Sequence, residues 1–270
     1  MTIACSTAIG TSRRLPDVLE QIAMLGFDAV EIMCFPGWAH LEPADLVEQG
    51  PAITAEVLEV LGALGLQTVG LNTKPSGEVN SSFASDQEQH AREAAALCAL
   101  AEDLGAAVVT VPAGSLLPGV SAEEAVALSV RALQQWVAAA DDHGVRLAIE
   151  THQGSLAEQP AEALQLLEAV PGLWITYDPS HYTAAGVPLS ASLPLFDRIA
   201  HCHLRNARLG CFQERMDRGL LDLDWVLRNL NERGYEGAIS IEYLEDFALR
   251  DGYNVEFEVA ALRQYLLPSA

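Results

Sequence analysis

Four side chains that can bind a metal lie at the ends of apolar segments in the second half of the chain. The segments LAIE, ITYD, AHCH and ISIE end at Glu150, Asp178, His203 and Glu242. A carboxylate in this position is costly to remove from water unless a cation or hydrogen bonds compensate its charge. Three carboxylates and one imidazole suit Mn²⁺, Mg²⁺ or Co²⁺ better than structural zinc, with Zn²⁺ as a further option. The four residues therefore predict one divalent metal ion.

The rest of the chain must bring these residues together. Short segments rich in β-branched residues alternate with longer segments rich in Ala, Leu and Glu, and this alternation predicts a parallel sheet covered by helices. The predicted strands are Ile3–Ser6, Ala29–Met33, Thr68–Asn72, Val108–Pro112, Arg146–Glu150, Trp174–Asp178, Ala200–Leu204 and Ala238–Glu242. Eight such strands close a barrel more readily than they extend an open sheet. We therefore predict an α/β protein with a single (β/α)8 TIM barrel as one domain over residues 1–270.

Helices predicted from the apolar periodicity fill the intervals between these strands. They are Pro16–Leu25, Thr54–Leu64, Asp86–Leu104, Ala122–His143, Pro160–Ala169, Leu223–Arg233 and Glu256–Leu266, with a weaker one at Ser190–Phe196. Several are followed by a glycine just before the next strand, as in MLGFDAVEI and ALGLQTVGL. An open doubly wound sheet is the alternative, but its usual phosphate-binding motif, GxGxxG, does not occur in the chain.

In a TIM barrel the active site lies at the C-terminal ends of the strands, and other side chains near those ends could bind a substrate. Arg205 and Arg208 follow His203, and their planar guanidinium groups could bind a substrate oxygen or carboxylate. A surface ion pair is the alternative role for each of them. Trp38 follows the second predicted strand and could form an apolar wall against a sugar, or pack in the core.

The composition excludes several classes of partner. With 37 acidic against 15 basic residues, the formal net charge is −22, which repels nucleic-acid backbones and anionic membrane surfaces. The N-terminus has no basic segment before a long apolar run, and the five scattered cysteines favour reduced thiols. We therefore expect a cytoplasmic protein with a small-molecule partner and no nucleic-acid or membrane partner. The sequence leaves open whether the protein is a homo-oligomer.

Six short motifs follow one another along nearly the whole chain, each at a predicted strand. They are IACST, GFDAVEIM, AIETH, YDPSH, HCHLRN and GYEGAISIEY. Together they resemble the xylose isomerase-like TIM barrel superfamily (AP endonuclease family 2), which includes sugar isomerases and epimerases as well as the endonuclease-four-type AP endonucleases. The resemblance implies a (β/α)8 barrel and a metal-dependent isomerase or epimerase that acts on a sugar.

The resemblance also implies roles for individual residues. Those that match the family's metal ligands are Glu150, Asp178, His203 and Glu242. In the related epimerases the two glutamates also exchange the proton, so Glu150 and Glu242 are the expected catalytic pair. His181 is expected beside the metal or the substrate. His152 is expected to line the pocket or to orient the site.

The reactions of this superfamily share the removal of a proton next to a carbonyl. A divalent cation on the carbonyl stabilises the resulting enediolate, and a carboxylate can then take the proton. The nuclease branch carries extra histidine ligands where this chain has GLNTK, TVPAG and MDRG, and ketohexose epimerases carry a further glutamate where this chain has Leu156. We therefore predict an isomerase or epimerase of a sugar, polyol or keto acid. The alternatives are a dehydratase of an inosose or cyclic hydroxy acid, and a barrel that binds a ligand without turnover.

Overall fold

The computed structural model describes residues 1–267, in which parallel strands form a closed barrel. The strands are β1 (Thr2–Ser6), β2 (Ala29–Phe35), β3 (Ala39–His40), β4 (Gln67–Thr73), β5 (Val108–Val111), β6 (Arg146–Glu150), β7 (Trp174–Tyr177), β8 (Ile199–Leu204) and β9 (Ala238–Ile241). Apart from β3, they pair in parallel around the ring in chain order, and β9 pairs with β1. The short β3 pairs antiparallel with the end of β2. This topology confirms the predicted (β/α)8 barrel.

Helices connect the strands and cover the outside of the barrel. They are α1 (Leu15–Met24), α2 (Pro43–Leu64), α3 (Ala84–Asp103), α4 (Ala122–Asp142), α5 (Pro160–Ala169), α6 (Pro179–Ala185), α7 (Leu223–Glu232), α8 (Glu245–Asp251) and α9 (Val255–Leu266). Short 3₁₀ helices lie at Thr7–Gly10 and Leu189–Arg198. Within residues 1–267, no helix combines the length and the apolar character needed to cross a bilayer.

Most helices lie within two residues of their predicted bounds, but four elements differ by more or were not predicted. Helix α2 begins at Pro43 and not at Thr54, because two helical segments meet at a kink around Gln49, close to Pro51. The segment predicted as a weak helix at Ser190–Phe196 is part of a 3₁₀ helix. Helices α6 and α8 were not predicted, because each is seven residues long and too short to develop a clear apolar period.

The barrel interior is apolar towards one end and polar towards the other. A small cluster of buried residues closes the end nearer the N-termini of the strands and contains Val108, Ala148 and Ala200. Closer to the C-terminal ends of the strands, Thr110 in β5 and Thr176 in β7 are buried and share a hydrogen bond of 2.6 Å. The main apolar core lies instead between the strands and the surrounding helices. The interior is therefore most polar near the C-terminal ends of the strands, where the predicted site lies.

Candidate metal centre and active site

The four predicted metal ligands meet at the C-terminal rim of the barrel. Each of Glu150, Asp178, His203 and Glu242 offers a ligand atom, and these atoms lie within 4.8 Å of one another. Glu150 ends β6, Asp178 and Glu242 directly follow β7 and β9, and His203 lies in β8. Since neighbouring parallel strands end at one rim, residues far apart in sequence become neighbours in space.

Local structure fixes the direction of the Asp178 side chain. Asp178 caps the N-terminus of α6, where its Oδ1 accepts a hydrogen bond of 2.8 Å from the amide of Ser180. Its own amide donates to Thr151 Oγ1 at 2.9 Å. Such caps are common at helix N-termini because the first amides of a helix lack partners within it. The second oxygen, Oδ2, is left to face the site.

His203 lies between carboxylates on two sides. Its Nδ1 is 3.0 Å from Glu150 Oε1 and 3.4 Å from Glu242 Oε2, and its Nε2 is 2.9 Å from Glu31 Oε1. Burial by itself would lower the pKa of His203, but the negative charges of Glu242 and Glu31 and the hydrogen bonds to Glu150 and Glu31 hold it well above the usual imidazole value. Without a metal ion, these contacts therefore favour the charged form of the His203 imidazole.

Arg205 is a second buried cation in the same cluster. Its Nη2 is 2.5 Å from Asp178 Oδ2, and its Nη1 is 2.5 Å from Glu242 Oε2 and 2.9 Å from the Glu242 carbonyl oxygen. Its Nε donates to Ser180 Oγ at 3.1 Å, and the residue is only 2 % exposed. The fork of the guanidinium group thus holds two of the four proposed ligands in place.

Glu150 and Glu242 occupy different electrostatic surroundings. Burial would raise the pKa of Glu150, but its hydrogen bond and charge interaction with His203 lower the pKa to about 2. Burial raises the pKa of Glu242 to about 7, because it outweighs the opposing charges of His203 and Arg205. Two neighbouring carboxylates with such different pKa values are typical of sites that transfer protons.

A cavity of about 340 Å³ opens directly above this cluster. Glu150, Arg205 and Glu242 form part of its floor, and Trp38 and His152 are among its other lining residues. Trp38 is fixed by a hydrogen bond of 2.8 Å from its indole nitrogen to Asp246 Oδ2. The cavity falls within the size range of about 300–1,000 Å³ that is usual for small-molecule sites.

The rings of His181 and His152 contact each other at the side of the site. Their ring centroids are 4.0 Å apart. The ring of Phe212 also stacks against His181, with the two ring centroids 4.9 Å apart. Burial, together with the charges of His152 and Arg205, lowers the pKa of His181 well below the usual value. Its Nε2 accepts from Arg205 at 3.0 Å, which places the hydrogen on Nδ1. Among the described residues, this buried Nδ1 has no hydrogen-bond partner.

Arg208 is not placed at the cavity. It lies after β8 in a turn, and its Nε makes an ion pair of 2.6 Å with Glu214, with half of its side chain exposed. This is the surface ion pair that the sequence left open as an alternative.

We expect that Arg208→Met does not change the KM or kcat of a reaction at the cavity, because exposed ion pairs of this kind contribute little and the side chain does not line the cavity. Steady-state kinetics of the variant beside the wild type test this. An increase in KM would instead assign Arg208 to substrate binding.

Three buried polar residues of the site were not predicted. Asn72, at the end of the apolar segment TVGLN, donates from Nδ2 to Glu242 Oε1 at 3.0 Å. Glu31 and His201 lie one layer deeper, and His201 Nε2 is 3.0 Å from Glu31 Oε1. Asn72 carried the same signal as the predicted ligands, a polar residue that ends an apolar segment. A glutamate in the middle of AVEIM was also a usable signal, because an unpaired buried carboxylate is rare.

Comparison with known proteins gives a family and several related folds. The family model described as xylose isomerase-like TIM barrel matches residues 19–264. A probable 3-DHS dehydratase from Bacillus anthracis, involved in petrobactin synthesis, is 17% identical with a TM-score of 0.75 over 100% of both chains. A D-allulose 3-epimerase from Methylomonas sp., solved with D-allulose, is 15% identical with a TM-score of 0.77 over 98% of this chain and 96% of that chain.

A third structure is that of a D-tagatose 3-epimerase-like protein. It is 22% identical with a TM-score of 0.73 over 99% of this chain and 100% of that chain. A search of curated protein sequences gave no match. At these identities the solved structures establish the shared fold alone.

Proposed function

Since the chain belongs to the xylose isomerase-like TIM barrel family, we propose that it is a divalent-metal-dependent isomerase or epimerase of a sugar or a sugar-like polyol or keto acid. The observation that carries this proposal is the convergence of Glu150, Asp178, His203 and Glu242 beneath a cavity of substrate size, which Glu150 and Glu242 line. Solved epimerases and a dehydratase with the same fold support this range of reactions.

The residues present fit a divalent ion. Three carboxylates and one imidazole nitrogen within 4.8 Å of one another form a donor set that suits Mn²⁺, Mg²⁺ or Co²⁺, with Zn²⁺ also accommodated. Three of the four side chains are buried and Glu150 is partly exposed, and the three acidic groups exceed the positive charge that Arg205 and His203 supply. A cation held there would supply Lewis acidity next to a substrate carbonyl.

We assign the transfer of the proton to Glu150 and Glu242. Glu242 is held by Asn72 and Arg205, whereas Glu150 has its side-chain contact with His203 and is the more exposed of the two. One carboxylate takes the proton next to the substrate carbonyl, and the other can return it. In the absence of metal, the two carboxylates differ in pKa, which lies at about 2 for Glu150 and about 7 for Glu242.

The remaining lining residues bind and orient the substrate in this proposal. Trp38 offers an aromatic face for the apolar side of a sugar ring. His152 lines the cavity and can offer a hydrogen bond to a substrate hydroxyl group, and the buried His181 beside it has an N–H without a partner among the described residues. The substrate is a small molecule, and the charge of −22 disfavours a nucleic acid.

A dehydratase of an inosose or cyclic hydroxy acid is the second candidate. Lys74 lines the cavity and makes an ion pair of 3.4 Å with Glu78. A substrate carboxylate could replace Glu78 as its partner, which favours an acidic substrate. Leu156, at the position where ketohexose epimerases carry a further glutamate, is an apolar buried residue.

Incubation of the wild type with Mn²⁺ and a panel of ketoses, inososes and cyclic hydroxy acids in D₂O tests the proposal. Isomerisation or epimerisation introduces deuterium next to the carbonyl without loss of water, whereas dehydration lowers the product mass by one water. Mass spectrometry and NMR of the products separate the two outcomes. A protein that binds members of the panel but exchanges no proton with any of them is a binding protein.

A further inference from the structure

A buried carboxylate lies directly beneath the proposed metal centre. Glu31, in the middle of β2, is 0% exposed and points into the barrel interior. Its Oε1 is 2.9 Å from His203 Nε2 and 3.0 Å from His201 Nε2. Within the described residues, its second oxygen, Oε2, has no hydrogen-bond partner. The carboxylate is therefore held by the two imidazoles alone.

The two nitrogens of His203 face different partners. Nε2 points down to Glu31, and Nδ1 points to Glu150 and Glu242, at the centre of the four-residue cluster. A carboxylate only accepts hydrogen bonds, so Glu31 requires a hydrogen on Nε2. With its hydrogen on Nε2, His203 would have the lone pair of Nδ1 available to hold a cation together with Glu150 and Glu242.

His201 holds Glu31 in this position, and Ser240 in turn contacts His201. His201 lies two residues before His203 on β8, so both rings point to the same face of the strand. His201 Nε2 is within 3.0 Å of both Glu31 Oε1 and Ser240 Oγ, and all three groups are buried. Neither His201 nor Ser240 lies among the four proposed ligands. The arrangement is a chain of contacts that runs from Ser240 to the metal centre.

We propose that Glu31 is a positioning residue of the metal centre, which fixes the tautomer and the orientation of His203 so that Nδ1 faces the ion. The proposal rests on the proposed function, because it takes the four-residue cluster as a metal site. Partners that accept the second N–H of a ligating histidine commonly raise metal affinity about 10–100-fold. The competing assignment makes Glu31, His201 and His203 ligands of a second ion, which requires His203 to bind two ions through its two nitrogens.

The test is the variant Glu31→Gln, titrated with Mn²⁺ by calorimetry after the protein has been stripped of metal. The amide keeps the size of the side chain but can turn its NH₂ group towards His203, so the Kd should rise about 10–100-fold. The absorption spectrum of the Co²⁺-loaded variant should also change, because the histidine ligand is no longer held in one orientation. Glu258→Gln is the matched control, since Glu258 is equally buried but lies on α9 and binds the amide of Met216.

Each outcome separates this inference from the proposed function. A wild type that binds no ion removes the proposed function. A wild type that binds one ion, with Kd and Co²⁺ spectrum unchanged in Glu31→Gln, overturns the positioning role alone. Two ions in the wild type, one of them lost in Glu31→Gln, make Glu31 a ligand and also overturn it.

A second variant covers the case in which Glu31→Gln does not fold. His201→Gln leaves the contact between Glu31 and His203 possible but removes the second imidazole that holds Glu31. Its Kd for Mn²⁺ should rise, although less than in Glu31→Gln. A Kd equal to that of the wild type overturns the assignment.

Discussion

Replacing Glu150 or Glu242 with glutamine should slow the exchange of substrate hydrogen with D₂O by at least about 10²-fold, the usual cost of losing a general base. Glutamine has nearly the same size but cannot take a proton, and it is a weaker ligand for a divalent ion. The exchange is measured by NMR on the substrate that the panel identifies, with each variant at saturating Mn²⁺. Both variants should be slow, because both residues face the cavity and contact the same imidazole.

Metal occupancy separates the two roles of each glutamate. If exchange recovers fully in Glu150→Gln once Mn²⁺ occupancy is restored, Glu150 is a ligand only and the proton is moved by another group. His181→Asn serves for comparison, because His181 lies beside the ligands but is not one of them. We expect this variant to lose less exchange than either glutamine variant. A larger loss in His181→Asn than in either glutamine variant would contradict the assignment of the proton to the glutamates.

Arg205→Met should destabilise the metal-free protein by about 3–5 kcal/mol, the usual cost of removing one partner of a buried ion pair. Methionine fills part of the space but leaves Asp178 and Glu242 buried without their guanidinium partner. Mn²⁺ should restore part of this loss, because an ion at the site supplies positive charge to the same carboxylates and binds only the folded state. Urea denaturation with and without Mn²⁺ measures both effects.

Arg208→Met is the matched control for this experiment. The same substitution at an exposed ion pair should change the free energy of unfolding by no more than about 0.5 kcal/mol, and Mn²⁺ should stabilise this variant as much as the wild type. If Arg205→Met were as stable as Arg208→Met, the buried ion pairs of Arg205 would not hold the site together. If Mn²⁺ gave Arg205→Met no recovery, the ion would not lie next to Asp178 and Glu242.

The barrel and the four clustered residues were predictable because both depend on short-range patterns. The glycine before several of the strands and the length of the apolar segments gave the strand positions to within about two residues. A polar residue at the end of such a segment lies at the C-terminal rim in any parallel barrel. Glu150, Asp178, His203 and Glu242 could therefore be grouped without knowledge of side-chain positions.

Features that depend on side-chain direction inside the fold were not predictable in the same way. Arg205 and Arg208 follow the same strand, yet Arg205 is buried among the ligands, whereas Arg208 enters a turn and bridges to Cys211. The contact between Glu31 and His203 joins β2 and β8, on different sides of the barrel, and depends on the depth at which each side chain points inwards. The kink in α2 at Gln49 likewise depends on the local backbone next to Pro51, so the full length of this helix was not predicted.

The most direct test of the metal centre is a calorimetric titration of the stripped protein with Mn²⁺, together with elemental analysis of the protein as purified. We expect about one divalent ion per chain, because ligands that must give up protons and converge on one point form a single site. Asp178→Asn should weaken the binding strongly, since Asp178 is one of the four residues that surround the ion. Binding of no ion, binding that Asp178→Asn leaves unchanged, or two to three tightly held zinc ions per chain would contradict this account.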